Sequence, residues 1–227
     1  MTTVFAVAVP GAERAVEDRH RRVVRFGAWS LALGGGLTVL GVILATALGW
    51  AHALDQCCTP VGYVGGGLQA SLHVLVLGGF IGLWVSGVCG RGRLALIGVA
   101  LAFAGHFIQI PAEVVFRVAP RLGAPLFTVA APLIATGLVI AGIAAFQAGL
   151  WRRWQSSALL AAGLYIPLIL IPSFVLAKGP NPITIGAFNA LEVGIAVALL
   201  KGTIVKHGSP APESRVGSRP LIAERNR

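Results

Sequence analysis

From residue 25 to residue 200 the apolar positions fall into long runs separated by short hydrophilic joints. A helix that crosses the hydrocarbon core of a bilayer needs roughly 20 predominantly apolar residues. Six such runs can be drawn, at 26–50, 67–89, 94–116, 122–150, 157–177 and 183–200. The fourth is long and must tilt or end earlier than drawn; the last is short and fits a thin bilayer. Pro111, Pro132, Pro167 and Pro172 fall inside the runs. They do not forbid helices there, because neighbouring helices can satisfy the freed carbonyls. The pattern predicts an all-α, polytopic integral membrane bundle of six transmembrane helices.

Composition agrees. Hydrophobic residues make up 56% of the 227-residue chain and charged residues 11%, with a mean hydropathy of +0.82. Soluble domains carry roughly 25% charged residues, so this chain could not clothe a soluble surface. The net charge of +10 does not point to nucleic acid, because the basic residues sit almost entirely outside the apolar runs. Cytoplasmic joints of membrane proteins accumulate Lys and Arg. With the N-terminus taken as cytoplasmic, fifteen Lys and Arg fall inside and three outside, the three being Arg117, Arg121 and Lys178. That bias predicts an even number of spans, both termini cytoplasmic, and a cell-membrane location. Residues 1–25 then form a basic cytoplasmic lead, 26–201 the six-helix domain, and 202–227 a disordered cytoplasmic tail. Ala51-His52-Ala53 has the small-x-small form of a signal cleavage site. The run before it exceeds the 7–15 residues of a signal h-region, so a retained anchor is expected.

Six spans with an inside start place the first three and the last three in opposite orientations, the topology of an inverted repeat. The similar endings Ala-Leu-Gly-Trp50 and Ala-Gly-Leu-Trp151 rest on the commonest residues here and establish no repeat. Small residues four apart let helix backbones approach closely. Gly186, Ala190, Gly194 and Ala198 form one such ridge, and Gly78 with Gly82 a second.

The informative departures are polar. His106, Gln109, Glu113 and Arg117 follow one another at offsets of three, four and four, within about 80° of one helix face. Gln69 and His73 share a face of the second span; Asn189 and Glu192 share one of the sixth. An ionisable group at mid-membrane costs roughly 2.5–3.5 kcal/mol on insertion scales and therefore faces a bundle interior or a wet cavity. Position places His106 and Glu192 near mid-membrane, Glu113 near the outer surface and His73 in the outer half. His73, His106, Gln109, Glu113, Asn189 and Glu192 thus outline an outward-opening polar cleft. Duller readings stand beside this one. Glu113 and Arg117 suit an interfacial ion pair, and His106 and Gln109 suit hydrogen-bonded packing. Glu192 has no basic residue within a helical turn and is expected to be protonated or paired with His73 or His106.

Buried carboxyl and imidazole groups relay protons, which suits a proton- or cation-coupled carrier of a small solute. The leading expectation is a small secondary transporter or permease. A non-enzymatic accessory or scaffold subunit comes second, and a haem-binding or other redox membrane protein third, with His73 and His106 as axial ligands. No catalytic residue, metal site or cofactor is expected on the leading reading. Expected partners are the bilayer, a small solute or proton, and a second copy or a larger membrane complex. Cys57 and Cys58 are adjacent, so a disulfide between them would be strained. Two free thiols or a bond to another chain fit better, and with His52 and Asp55 nearby a surface metal site has the residues but no recognised spacing. Gly-x-Ser-x-Gly, His-Glu-x-x-His, Cys-x-x-Cys and phosphate-loop motifs are absent.

Overall fold

The computed structural model describes residues 10–50, 57–177 and 181–205. The expected cleavage motif at 51–53, the outer-loop residues His52 and Asp55, Lys178 and the tail from 206 lie outside these residues. Six long helices carry the fold: α1 (Pro10–Ala47), α2 (Pro60–Ser86), α3 (Arg93–Val118), α4 (Pro120–Ala148), α5 (Arg153–Ala177) and α6 (Pro182–Val205). Each is long and apolar enough to cross a membrane, and no strand occurs among the described residues.

Helix ends follow local chemistry. Thr59 caps α2, its hydroxyl accepting from the Gly62 N–H at 3.0 Å, and Pro60 opens the first turn. Proline suits that position because its missing N–H would have no helical partner. Gly87 and Gly149 close α2 and α4 in the left-handed conformation, which lacks a steric penalty only in glycine. Within α5 the segment Ile166–Leu170 widens to a π-turn around Pro167, as expected where proline cannot donate. By contrast, α3 and α4 run through Pro111, Pro125 and Pro132 without a break.

Two boundaries differ from the sequence reading. The lead is not separate from the first span, because α1 begins at Pro10 and continues unbroken to Ala47. Good helix formers and the Glu17–Arg21 ion pair (2.9 Å, four residues apart) support the extra turns. At about 1.5 Å per residue, α1 is far longer than the roughly 30 Å hydrocarbon core. The second span likewise starts at Pro60 rather than at residue 67, which adds about two turns.

Each helix packs chiefly on its neighbours in sequence, and α6 returns to α1. The six helices therefore form a closed ring. Its seams are made by small residues. A methyl group on Gly27 of α1 would stand 2.6 Å from Gly82 Cα of α2, and one on Gly137 of α4 would collide with the Ala102 backbone of α3. Gly78 and Gly82 thus pack against α1 within the monomer. The α6 ridge behaves differently: Gly186 meets Val42 and Ala198 is buried, but Ala190 is exposed and Gly194 faces open space. Four residues turn a helix by about 400°, so such a ridge winds off the contact face. The perimeter shows large apolar side chains, among them Phe26, Trp29, Leu33, Leu37, Leu40 and Leu44 on α1 alone. Patches of that extent suit lipid rather than water.

Candidate functional site

Antiparallel stripes on α2 and α3 build the centre of the ring. On α2 the stripe is Gly66, His73 and Phe80; on α3 it is Glu113, His106 and Val99. Successive members are seven residues apart, two helical turns, and so share a face. The stripes meet in register. At Gly66 the α3 backbone comes so close that an added methyl would lie 2.8 Å from the Glu113 carbonyl oxygen. One level further in, His73 faces His106, and Phe80 packs its ring against His106 with centroids 5.1 Å apart. From the far side of the ring α6 brings Glu192.

These side chains form a line. Glu192 Oε1 is 3.3 Å from His106 Nε2; His106 Nδ1 is 3.5 Å from His73 Nδ1; His73 Nε2 is 3.9 Å from Glu113 Oε1. Arg117 Nη2 then stands 3.8 Å from Glu113 Oε2. Each imidazole thus gives its two nitrogens to two different neighbours. The Glu192–His106 pair is close but out of hydrogen-bond alignment, so a small rotation makes or breaks that bond. At 3.9 Å, His73 and Glu113 are just beyond direct hydrogen-bond distance. The His106 and Glu192 side chains are 0% and 2% exposed and those of His73 and Glu113 17% and 12%, so Glu192 and His106 are the deeper pair; Arg117, beyond Glu113, is again buried.

No protein-family model, curated protein or solved structure matches this chain. The residues themselves therefore carry the functional argument.

Of the six residues predicted for the cleft, four converge: His73, His106, Glu113 and Glu192. Asn189 is buried but donates its amide to the Ile185 carbonyl of its own helix at 2.8 Å, while its backbone oxygen backs onto Gly35 of α1. Gln109 is half-buried, and its Oε1 has no hydrogen-bond partner among the described residues. The expected Glu113–Arg117 pair is present, yet Arg117 is buried rather than interfacial in exposure. His73 sits at the same level as His106, not nearer one surface. The sequence reading set it too shallow because it began the span at residue 67.

Phe80 is the residue that sequence reasoning missed. Its signal was available, since it lies seven residues beyond His73 on the same helix face.

The line is poorly suited to chelation. A metal needs several donors aimed at one point, and among the described residues no three His, Cys, Asp or Glu side chains do so. A bis-histidine haem needs the macrocycle between its axial nitrogens, and here the two Nδ1 atoms face each other at 3.5 Å. Carboxyl, imidazole, imidazole and carboxyl in single file are instead suited to passing protons.

The two ends of the bundle differ. Glu113 and Arg117 lie toward the end with Cys57, Cys58 and the α3–α4 turn, here called the thiol end. There the Cys58 N–H donates to the Arg117 carbonyl at 2.8 Å, tying the start of α2 to the end of α3. Beyond Glu192 toward the opposite, basic end the buried side chains are mostly apolar, among them Leu83, Val99, Leu138, Ile195 and Leu199, with Gln155 donating to the Ala198 carbonyl of α6 at 2.8 Å.

Proposed function

We propose that this chain is a proton-coupled membrane carrier of a small solute, with Glu113, His73, His106 and Glu192 as its proton path. One observation carries the reading: His106 stands between a second imidazole and a buried carboxyl, with one ring nitrogen toward each.

The transfer can be written with every proton placed. Two facing Nδ1 atoms can share only one proton. Let His73 hold it on Nδ1, His106 hold its own on Nε2, and Glu192 be ionised. A proton arriving on Glu113 passes to His73 Nε2; His73 releases its Nδ1 proton to His106 Nδ1; His106 releases its Nε2 proton to Glu192. Glu113 returns to carboxylate, Glu192 becomes neutral, and both imidazoles end in the opposite tautomer. No second proton can follow until the rings rotate or the first proton returns. Such a single delivery suits a carrier that changes shape once per proton, not a continuously conducting pore. Placement supports the same reading, because α2 and α3 of the first half and α6 of the second meet at mid-helix.

The Lys and Arg distribution assigns the basic end to the cytoplasm, and with it both termini. On this reading the Glu113 end of the line faces outward and the Glu192 end lies toward the cytoplasmic half.

The test is purified protein in liposomes that enclose a pH-sensitive dye, under an imposed pH gradient and with a mixture of amino acids, sugars and monovalent cations on the acidic side, so that a coupled carrier can cycle. The wild type should acidify the lumen, and Glu192→Gln should slow this by about 100-fold or more, the usual scale for losing a positioned proton-transfer group. Its unfolding temperature in detergent should stay close to that of the wild type. Equal rates in the two proteins would refute the reading. A variant that does not assemble would assign the buried groups to helix locking, the scaffold alternative.

A further inference from the structure

The cations of the basic end play no part in the proton path. Arg91 and Arg93 flank the α2–α3 joint, Arg152 and Arg153 the α4–α5 joint, and Lys201 stands near the end of α6. All five are exposed, and no described carboxylate pairs with any of them. Exposed tryptophans accompany them: Trp84 near the close of α2, Trp154 in the first turn of α5, and Trp29 one turn beyond Arg25 on α1. By helical rise Trp29 and the exposed Trp50 are about 30 Å apart, the thickness of the hydrocarbon core. Tryptophan gathers at the two faces of a bilayer. The cations beside Trp29, Trp84 and Trp154 therefore stand among lipid headgroups.

One corner of this layer is fixed in detail. Gln155 of α5 is buried; its Nε2 donates to the Ala198 carbonyl of α6 at 2.8 Å, and its Oε1 accepts the Arg152 N–H at 2.9 Å. That amide fastens the start of α5 to the end of α6. Beside it the Lys201 ammonium lies over the Trp154 ring, 5.6 Å from the centroid, and both side chains are exposed. Trp151 is buried beneath them against Gly202, where an added methyl would stand 2.7 Å from its Nε1. That indole N–H has no hydrogen-bond partner among the described residues. One turn inward from Lys201, Val197 continues the exposed face of α6 into the apolar layer.

We propose that the α5–α6 corner binds an anionic phospholipid, its headgroup phosphate held by Arg152, Arg153 and Lys201 and its upper acyl chain lying on Trp154 and Val197. The phosphodiester supplies the negative charge that these joints lack. A soluble anion would meet the cations but gain nothing from the exposed ring and the apolar face below it; a lipid meets both. Fixing the orientation of the chain in the membrane needs only that the charges lie in the joints. It does not require an ammonium stacked on an exposed indole above a buried amide clamp. The site is also separate from the proton path, whose Glu113 end lies at the other end of the bundle.

The test is native mass spectrometry of the full chain released from detergent that holds equal amounts of phosphatidylglycerol and phosphatidylcholine. The wild type should retain the anionic lipid over the neutral one by about 25-fold, roughly fivefold for each of two cations that one phosphate meets. Replacing Arg152, Arg153 and Lys201 together by Gln should bring the ratio close to one. Lys201→Gln alone should lower it about fivefold and Trp154→Leu about threefold. These single exposed changes decide the matter even where the triple variant does not fold. Arg121→Gln, exposed at the thiol end, should leave the ratio as it is. Equal retention of the two lipids by the wild type would overturn the proposal. So would a preference that survives Lys201→Gln and Trp154→Leu unchanged, or one that Arg121→Gln removes.

Discussion

A neutral imidazole has one donor and one acceptor nitrogen, and in His106 each faces a different partner. Substituting it should therefore cut the line rather than trim it. His106→Leu should abolish dye acidification, and it should destabilise the bundle by about 1–3 kcal/mol because Glu192 is left buried without its neighbour. Phe80→Leu should be milder. Loss of the ring contact costs roughly 0.5–1.5 kcal/mol, and a looser His106 should slow proton delivery without ending it. Comparing the two variants separates an imidazole that conducts from one that only packs. Cys89 offers an independent check on burial. Its thiol lies in the joint after α2, and burial pushes it up to about 12. Maleimide reacts with the thiolate, so in folded protein its rate at Cys89 should rise about tenfold per pH unit toward that value. In denaturing detergent labelling at pH 8 should be fast; fast labelling of the folded protein would show an open joint.

At the scale of helices, the existence of six elements was legible because long apolar runs answer to one rule, the thickness of a bilayer. Their ends were not. Gly66 lies before the second run as drawn from the sequence, yet in α2 it is the position where that helix meets Glu113 and Arg117 of α3. Pairing was also hidden, because helix rotation is set by where small residues interlock and not by hydropathy. This explains why the polarity of His106 and Glu192 was readable but the contact between them was not. Asn189 looked equally costly in the sequence, but its amide is satisfied by its own helix, a local solution that spacing does not reveal. The seams make a direct prediction. Gly137→Leu should destabilise the detergent-solubilised bundle by more than about 2 kcal/mol, beyond ordinary overpacking, because the clash is with α3 backbone. Gly36→Leu should be close to neutral, since open space surrounds that position. Thermal unfolding of the pair measures the difference.

At the scale of the molecule, a closed ring gives buried ionisable groups a place to meet away from lipid. The α3–α6 contact crosses that ring at the level of His106 and Glu192. Toward the thiol end the line continues through His73 and Glu113; toward the basic end it meets mostly apolar side chains and the buried amide of Gln155. The bundle is thus asymmetric along its axis, and its direction in the membrane decides which compartment the Glu113 end faces. Charge supplies that direction. Arg25, Arg91, Arg93, Arg152, Arg153 and Lys201 crowd the basic end and are exposed, whereas at the thiol end Arg117 is buried beside Glu113. Basic joints resist translocation, so the thiol end should face outward. Cys57 and Cys58 provide natural reporters of this, and Gly92→Cys in a chain lacking them reports the other end, where a side chain meets open space. A membrane-impermeant maleimide added to intact cells should label the native pair. It should reach Cys at position 92 only after the membrane is permeabilised. The reverse pattern would keep the line of groups intact but turn its Glu113 end to the cytoplasm.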